Sequence, residues 1–171
     1  MQQPPLLPEE SLARVLRLAR FDGMAVMVLG GMFALFAAAA RDIPFATIGL
    51  LASGAGAIEL HGAALLRQGD PLGMRWVVAS QPFLLSVILC YCALRIWLVE
   101  IPPVPEAFQN LFAMSARQWG MSVEEYQQAL NRVTALAVAI VGLGFQGGMM
   151  LYYLRRRGPV YQALSVDDSQ L

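Results

Sequence analysis

The chain is written as long apolar runs separated by short polar breaks. The first run extends from about Gly23 to Ala40, 18 residues without a charge. At ~1.5 Å per helical residue it covers ~27 Å, just enough for the hydrocarbon core of a bilayer. The second runs from about Ile43 to Leu66, the third from about Arg75 to Val99, and the fourth from about Val133 to Leu154. Four apolar runs of this length predict four transmembrane helices.

The breaks fix the connectivity. Arg41-Asp42-Ile43-Pro44 is so short that the first two spans must be antiparallel neighbours. Asp42 can cap the second helix, and Pro44 suits its first turn. Gly, Asp and Pro mark a turn at 67–74. Pro82, after Gln81, removes a helix hydrogen bond and predicts a bend in the third span. Trp76 and Trp97 stand near its two ends, as interfacial aromatics do, and Arg95 can snorkel. Glu100-Ile-Pro-Pro-Val-Pro105 ends it.

Outside the spans the pattern is amphipathic. Residues 1–8 hold three prolines and read as a disordered lead. Leu12, Val15, Leu16 and Ala19 then recur at helical spacing, with Arg14, Arg17 and Arg20 mostly turned away. This predicts a short surface helix ending near Phe21, either lying on an anionic leaflet or serving only as a charged lead-in. Between 100 and 132, Val104, Ala107, Phe108, Leu111, Phe112 and Trp119 form one stripe opposite Glu106, Gln109, Asn110 and Arg117. Gly120 can end that helix, and Ser122 with Glu125 fits a capping box for the next. The segment therefore reads as an external helical hairpin, half immersed in the membrane or serving as a docking surface. Gly158-Pro159 is expected to end the last helix.

The expected fold is all-α: a polytopic membrane protein with four transmembrane helices in an antiparallel bundle, plus short amphipathic surface helices. Its divisions are 1–21 (lead and surface helix), 22–99 (spans one to three), 100–132 (hairpin), 133–157 (span four) and 158–171 (polar tail).

Composition agrees. Of the 171 residues, 57% are apolar and 14% charged, against about a quarter charged in a soluble domain. Twelve arginines balance twelve acids, and lysine is absent. The balance gives no sign of a nucleic-acid partner, and the lack of lysine excludes Schiff-base chemistry and a Walker phosphate loop. Arg14, Arg17, Arg20, Arg67, Arg75 and Arg155 to Arg157 fall on the side of the termini; Arg41, Arg95, Arg117 and Arg132 fall on the other. Eight against four predicts cytoplasmic termini and an external 100–132 hairpin; the small size and topology point to a bacterial inner membrane. Phe36-Ala-Ala-Ala-Ala-Arg41 also resembles a signal-peptidase site, but the long, acidic, proline-bearing lead is unlike a signal.

No catalytic constellation stands out. The chain has one histidine, and no HExxH, GxSxG, glycine-rich phosphate loop or CxxC. Cys90 and Cys92 fall on nearly opposite faces of a helix and cannot bond to each other there. No enzyme activity, cofactor or metal is therefore expected.

Depth gives a candidate site instead. Glu59 lies ~12 Å and His61 ~9 Å inside the Arg67 boundary; Gln81 lies ~9 Å past Arg75, Gln146 ~13 Å before Arg155, and Gly30 and Gly31 ~12 Å past Asp22. Unsatisfied polar groups cost several kcal/mol each in hydrocarbon. The expectation is one intramembrane polar layer of Glu59, His61, Gln81 and Gln146 over the glycines of the first span. Glu59 and His61 are about 200° apart on their helix, so one of them faces a neighbouring subunit or a lipid headgroup. Glu59 shares its face with Ala52, Ala55, Gly56, Gly62 and Ala63.

Two small-residue ridges add a second candidate. Gly144 and Gly148 form a GxxxG pair, and Gly30 with Ala34 forms a similar ridge. They serve packing within the chain or a homodimer seam. The function expected is that of a structural or accessory membrane protein acting through lipid or protein contacts, with the bilayer, a second copy or another membrane protein as partner. A small oligomeric proton-coupled transporter using Glu59 is the alternative.

Overall fold

The structure is a computed structural model that describes residues 7–97 and 106–167. These form five helices: α1 (Pro8–Ala39), α2 (Ile43–Arg67), α3 (Leu72–Trp97), α4 (Glu106–Gln118) and α5 (Val123–Asp167). No strand occurs among the described residues. Helices α1, α2, α3 and α5 are long and apolar enough to cross a membrane. Residues 1–6 of the expected 1–8 lead, the proline stop at 100–105 with Val104, and the last residues of the tail lie outside the described residues, and Pro8 already belongs to α1.

The chain divides into two compact units, one within Met1–Val87 and Leu143–Leu171, the other within Ile88–Gly142. In the first unit, α1 is a single helix of 32 residues. A separate surface helix ending near Phe21 does not form. Val15, Ala19, Asp22 and Gly23 continue one helical face, and all four are buried. The N-terminal stripe packs on protein: Val15 and Ala19 are enclosed with Ala63, Leu66, Met74, Val77, Met149, Tyr153 and Val160.

The same core explains the other end of the chain. Helix α5 runs through Gly158-Pro159 to Asp167, where the sequence predicts a stop. A proline inside a helix costs ~3 kcal/mol. Burying each large apolar side chain returns about 1.5–3 kcal/mol. Val160 is fully buried, and Tyr161 and Leu164 pack against the same core, so continuing the helix wins.

Helices α1 and α2 are antiparallel and meet along glycines. Gly23 faces Gly56 and Leu60, Gly30 faces Gly49, Ala52 and Ser53, and Gly49 faces Ala34. Partner numbers fall as α1 numbers rise. Asp42 caps α2 by accepting a hydrogen bond from the Phe45 amide at 3.3 Å, with Pro44 in the first turn. Asp70 accepts from the Leu72 amide at 2.8 Å where α3 begins. Gly62 then packs against Gly73 and Val77, making α2 and α3 antiparallel too. Pro82 lies inside α3, and its carbonyl accepts from Ser86 Oγ at 2.8 Å.

In the second unit, α4 ends at Gly120, whose φ of +66° favours glycine. The Met121 amide reaches back to the Ala116 carbonyl at 3.0 Å, closing a Schellman turn. The capping box forms: the Ser122 amide donates to Glu125 Oε2 at 2.9 Å, and the Glu125 amide donates to Ser122 Oγ at 3.1 Å. Phe112 meets Tyr126 edge to face, and Asn131 Nδ2 donates to the Arg95 carbonyl at 2.9 Å. Phe108, Leu111 and Trp119 remain exposed. Cys90 is exposed and Cys92 buried.

Candidate functional site

The site grows from one face of α2. Ala55, Gly56, Glu59, Gly62 and Ala63 are buried along it, so small residues flank the one carboxylate. Those small residues let other helices come close. A Cβ added at Gly56 would stand 2.5 Å from the Gly23 carbonyl oxygen and from the Met27 amide nitrogen of α1. The close approach brings Asp22 to Glu59.

Four helices each give one polar side chain to the cluster. Glu59 comes from α2, Asp22 from α1, Gln81 from α3 and Tyr153 from α5. Glu59 and Gln81 are each 1% exposed, and Tyr153 not at all. Tyr153 Oη donates to Glu59 Oε1 at 2.8 Å. The side chains of Asp22 and Gln81 are neighbours of the Glu59 carboxyl. Gln81 Nε2 also donates to Ser80 Oγ at 3.3 Å, which donates to the Val77 carbonyl at 2.8 Å.

Counting donors shows what this arrangement can do. Among the described residues, the buried side-chain atoms without a partner are Asp22 Oδ2, Gln81 Oε1 and Gln146 Oε1. All three are acceptors. Two ionised carboxylates offer only acceptors, so a hydrogen bond between them requires a proton on one. Among the described residues no group of three or more His, Cys, Asp or Glu side chains could bind a metal ion.

The structure brings Glu59 and Gln81 together but not His61 or Gln146. His61 is exposed and meets the Trp76 ring edge to face, with centroids 5.7 Å apart. The rotation of about 200° between positions 59 and 61 turns it outward, so it leaves the expected layer. Gln146 is buried at 5% exposure. It precedes Tyr153 by seven residues on the same helical face, ~10 Å along the axis. Tyr153 is the α5 residue that touches Glu59.

The glycines of α1 are also displaced. Gly30 packs against Gly49, Ala52 and Ser53; at Glu59 the α1 glycine is Gly23. Depth counted from Asp22 assumes that Asp22 marks a boundary, whereas it lies within the helix and within the cluster. Gly30 and Ala34 pack inside the chain against α2, while a Cβ added at Gly144 or Gly148 would meet nothing within 4 Å.

Two members of the cluster, Asp22 and Tyr153, are not among the residues predicted from sequence. Each carries a signal. Asp22 continues the Val15–Ala19 face by helical spacing, and Tyr153 follows Gln146 by two turns. No protein-family model, no curated protein and no solved structure matches the chain.

Proposed function

We propose that the chain is a non-enzymatic integral membrane protein, a structural or accessory subunit working through contacts with lipid or other proteins. The enclosure of the carboxyl cluster carries this reading. Glu59 is 1% exposed, is held by Tyr153, and sits where α1 and α2 meet backbone to backbone. In that setting the cluster fixes the register of four helices. The arginine count supports both termini in the cytoplasm, and the small size and four-span topology fit a bacterial inner membrane.

A specific observation favours a second reading, a small oligomeric proton-coupled transporter. Asp22 gives Glu59 a partner with which to share a proton, which is how an intramembrane carboxyl takes part in proton transfer.

The substitution Glu59→Gln separates the two. A glutamine keeps the oxygen that accepts from Tyr153, so a structural cluster survives with helicity and thermal unfolding in mild detergent little changed. Mild extraction should also bring down a defined membrane partner or a second copy, read by native mass spectrometry. A lone monodisperse protein whose pH-driven substrate flux in vesicles is abolished by Glu59→Gln would overturn the structural reading.

A further inference from the structure

A cleft opens between α1 and the end of α2. It has a volume of about 400 Å³ and is lined by Arg20, Leu60, Ala63, Ala64, Arg67 and Gln68. Two arginines line it from different helices. Among the described residues, no hydrogen bond or ion pair engages either arginine. The C-terminus of α2 does not occupy Arg67, because its terminal carbonyls are already taken. The Gln68 amide donates to Ala64 and Leu65, the Gly69 amide to Leu66, and the Asp70 amide to Leu65. Asp70, the acid nearest Arg67 in sequence, is engaged in capping α3 through Leu72, and Asp22, the acid nearest Arg20, is buried in the cluster with Glu59.

The cleft is two-faced. Arg20, Arg67 and Gln68 give it a polar end where α2 stops. Leu60, Ala63 and Ala64 give it an apolar wall that continues into the run crossing the membrane. No carboxylate lines it. We propose that this cleft binds the headgroup of an anionic phospholipid, with Arg20 and Arg67 on the phosphate and the first part of an acyl chain along Leu60 and Ala64. Paired guanidiniums match phosphate oxygens in fork geometry, and basic pockets between transmembrane helices at the interface suit such headgroups. A soluble phosphate would leave the apolar wall bare. A zwitterionic headgroup would bring an ammonium to a cleft with two arginines and no acid.

The inference rests on the membrane placement in the reading above, not on whether the carboxyl cluster is structural or carries protons. The test uses the full chain in neutral detergent. Native mass spectrometry follows adducts as phosphatidylglycerol or phosphatidylcholine is titrated. The wild type should retain one phosphatidylglycerol in preference to phosphatidylcholine. The double variant Arg20→Gln/Arg67→Gln should bind that lipid about 30-fold more weakly, two interfacial arginines being lost. The double variant Arg14→Gln/Arg17→Gln removes the same charge from exposed positions on α1 and should stay within about twofold of wild type. Equal losses in both variants would mean diffuse attraction and overturn the site. So would phosphatidylcholine bound as tightly as phosphatidylglycerol, or inorganic phosphate displacing the lipid at matching concentration. If the first variant does not fold by circular dichroism, Arg67→Gln alone carries the test, with an expected loss of about fivefold. Release of the protein from membranes by alkaline carbonate without detergent would instead refute the membrane placement, a separate outcome.

Discussion

Two glycine ridges in this chain look alike in sequence and are used in opposite ways. Along α1 and α2, Gly23, Gly30, Gly49 and Gly56 meet backbone or Cβ atoms of the facing helix at 3.0 Å or less from where their own Cβ would stand. Along α5, Gly144, Gly147 and Gly148 meet nothing within 4 Å. The closed ridge has a polar consequence, since it lets Asp22 reach Glu59. Spacing of small residues therefore marks a surface that permits close approach; what approaches is decided by the neighbour.

The comparison predicts a graded series, read by thermal unfolding in detergent followed by circular dichroism. Gly56→Leu should have the largest effect. No rotamer clears the Gly23 and Met27 backbone, so helices α1 and α2 must separate, at a cost of about 3 kcal/mol or more. A stable, folded Gly56→Leu protein would show that the ridge is not closed.

Tyr153→Phe keeps the ring and removes the one hydroxyl that donates to Glu59. It should cost about 1–3 kcal/mol, the penalty for leaving a buried acceptor unpaired. A neutral outcome would mean that Glu59 finds its donor elsewhere. Asp22→Asn tests the shared proton more gently. The amide supplies an N–H donor permanently, so stability should move by less than about 1 kcal/mol. A large loss would show that a charge on Asp22 matters.

At the open ridge, Gly148→Ala should be neutral or stabilising by up to about 1 kcal/mol, because alanine is the better helix former and meets no atom. If the same substitution abolishes energy transfer between labelled copies in vesicles, the open ridge is a seam between chains.

The four apolar helices, the Asp42 cap and the Ser122–Glu125 capping box are legible in the sequence because each depends on neighbours within a few residues. Hydropathy and cap chemistry are local signals. Glu59 and Gln81 are legible because a lone polar group in an apolar run stands out. Asp22 is less legible. A charge beside Phe21 and Gly23 looks like the end of a span, and only contact with α2 reveals it as interior. Tyr153 resembles an interfacial aromatic for the same reason. Pro159 is a strong local stop, overridden by a core that includes Val15, which no local window contains.

That core has a consequence for how the protein is made. Val15 belongs to the first helix and Val160 to the last, and they share one core. A ribosome adds about 5–20 residues per second, so about 7–30 s separate the synthesis of the two. Throughout that interval the N-terminal stripe waits without its final cover, in reach of insertion factors, chaperones and proteases. A product cut short before Val160 therefore leaves the Val15–Ala19 stripe without part of its core.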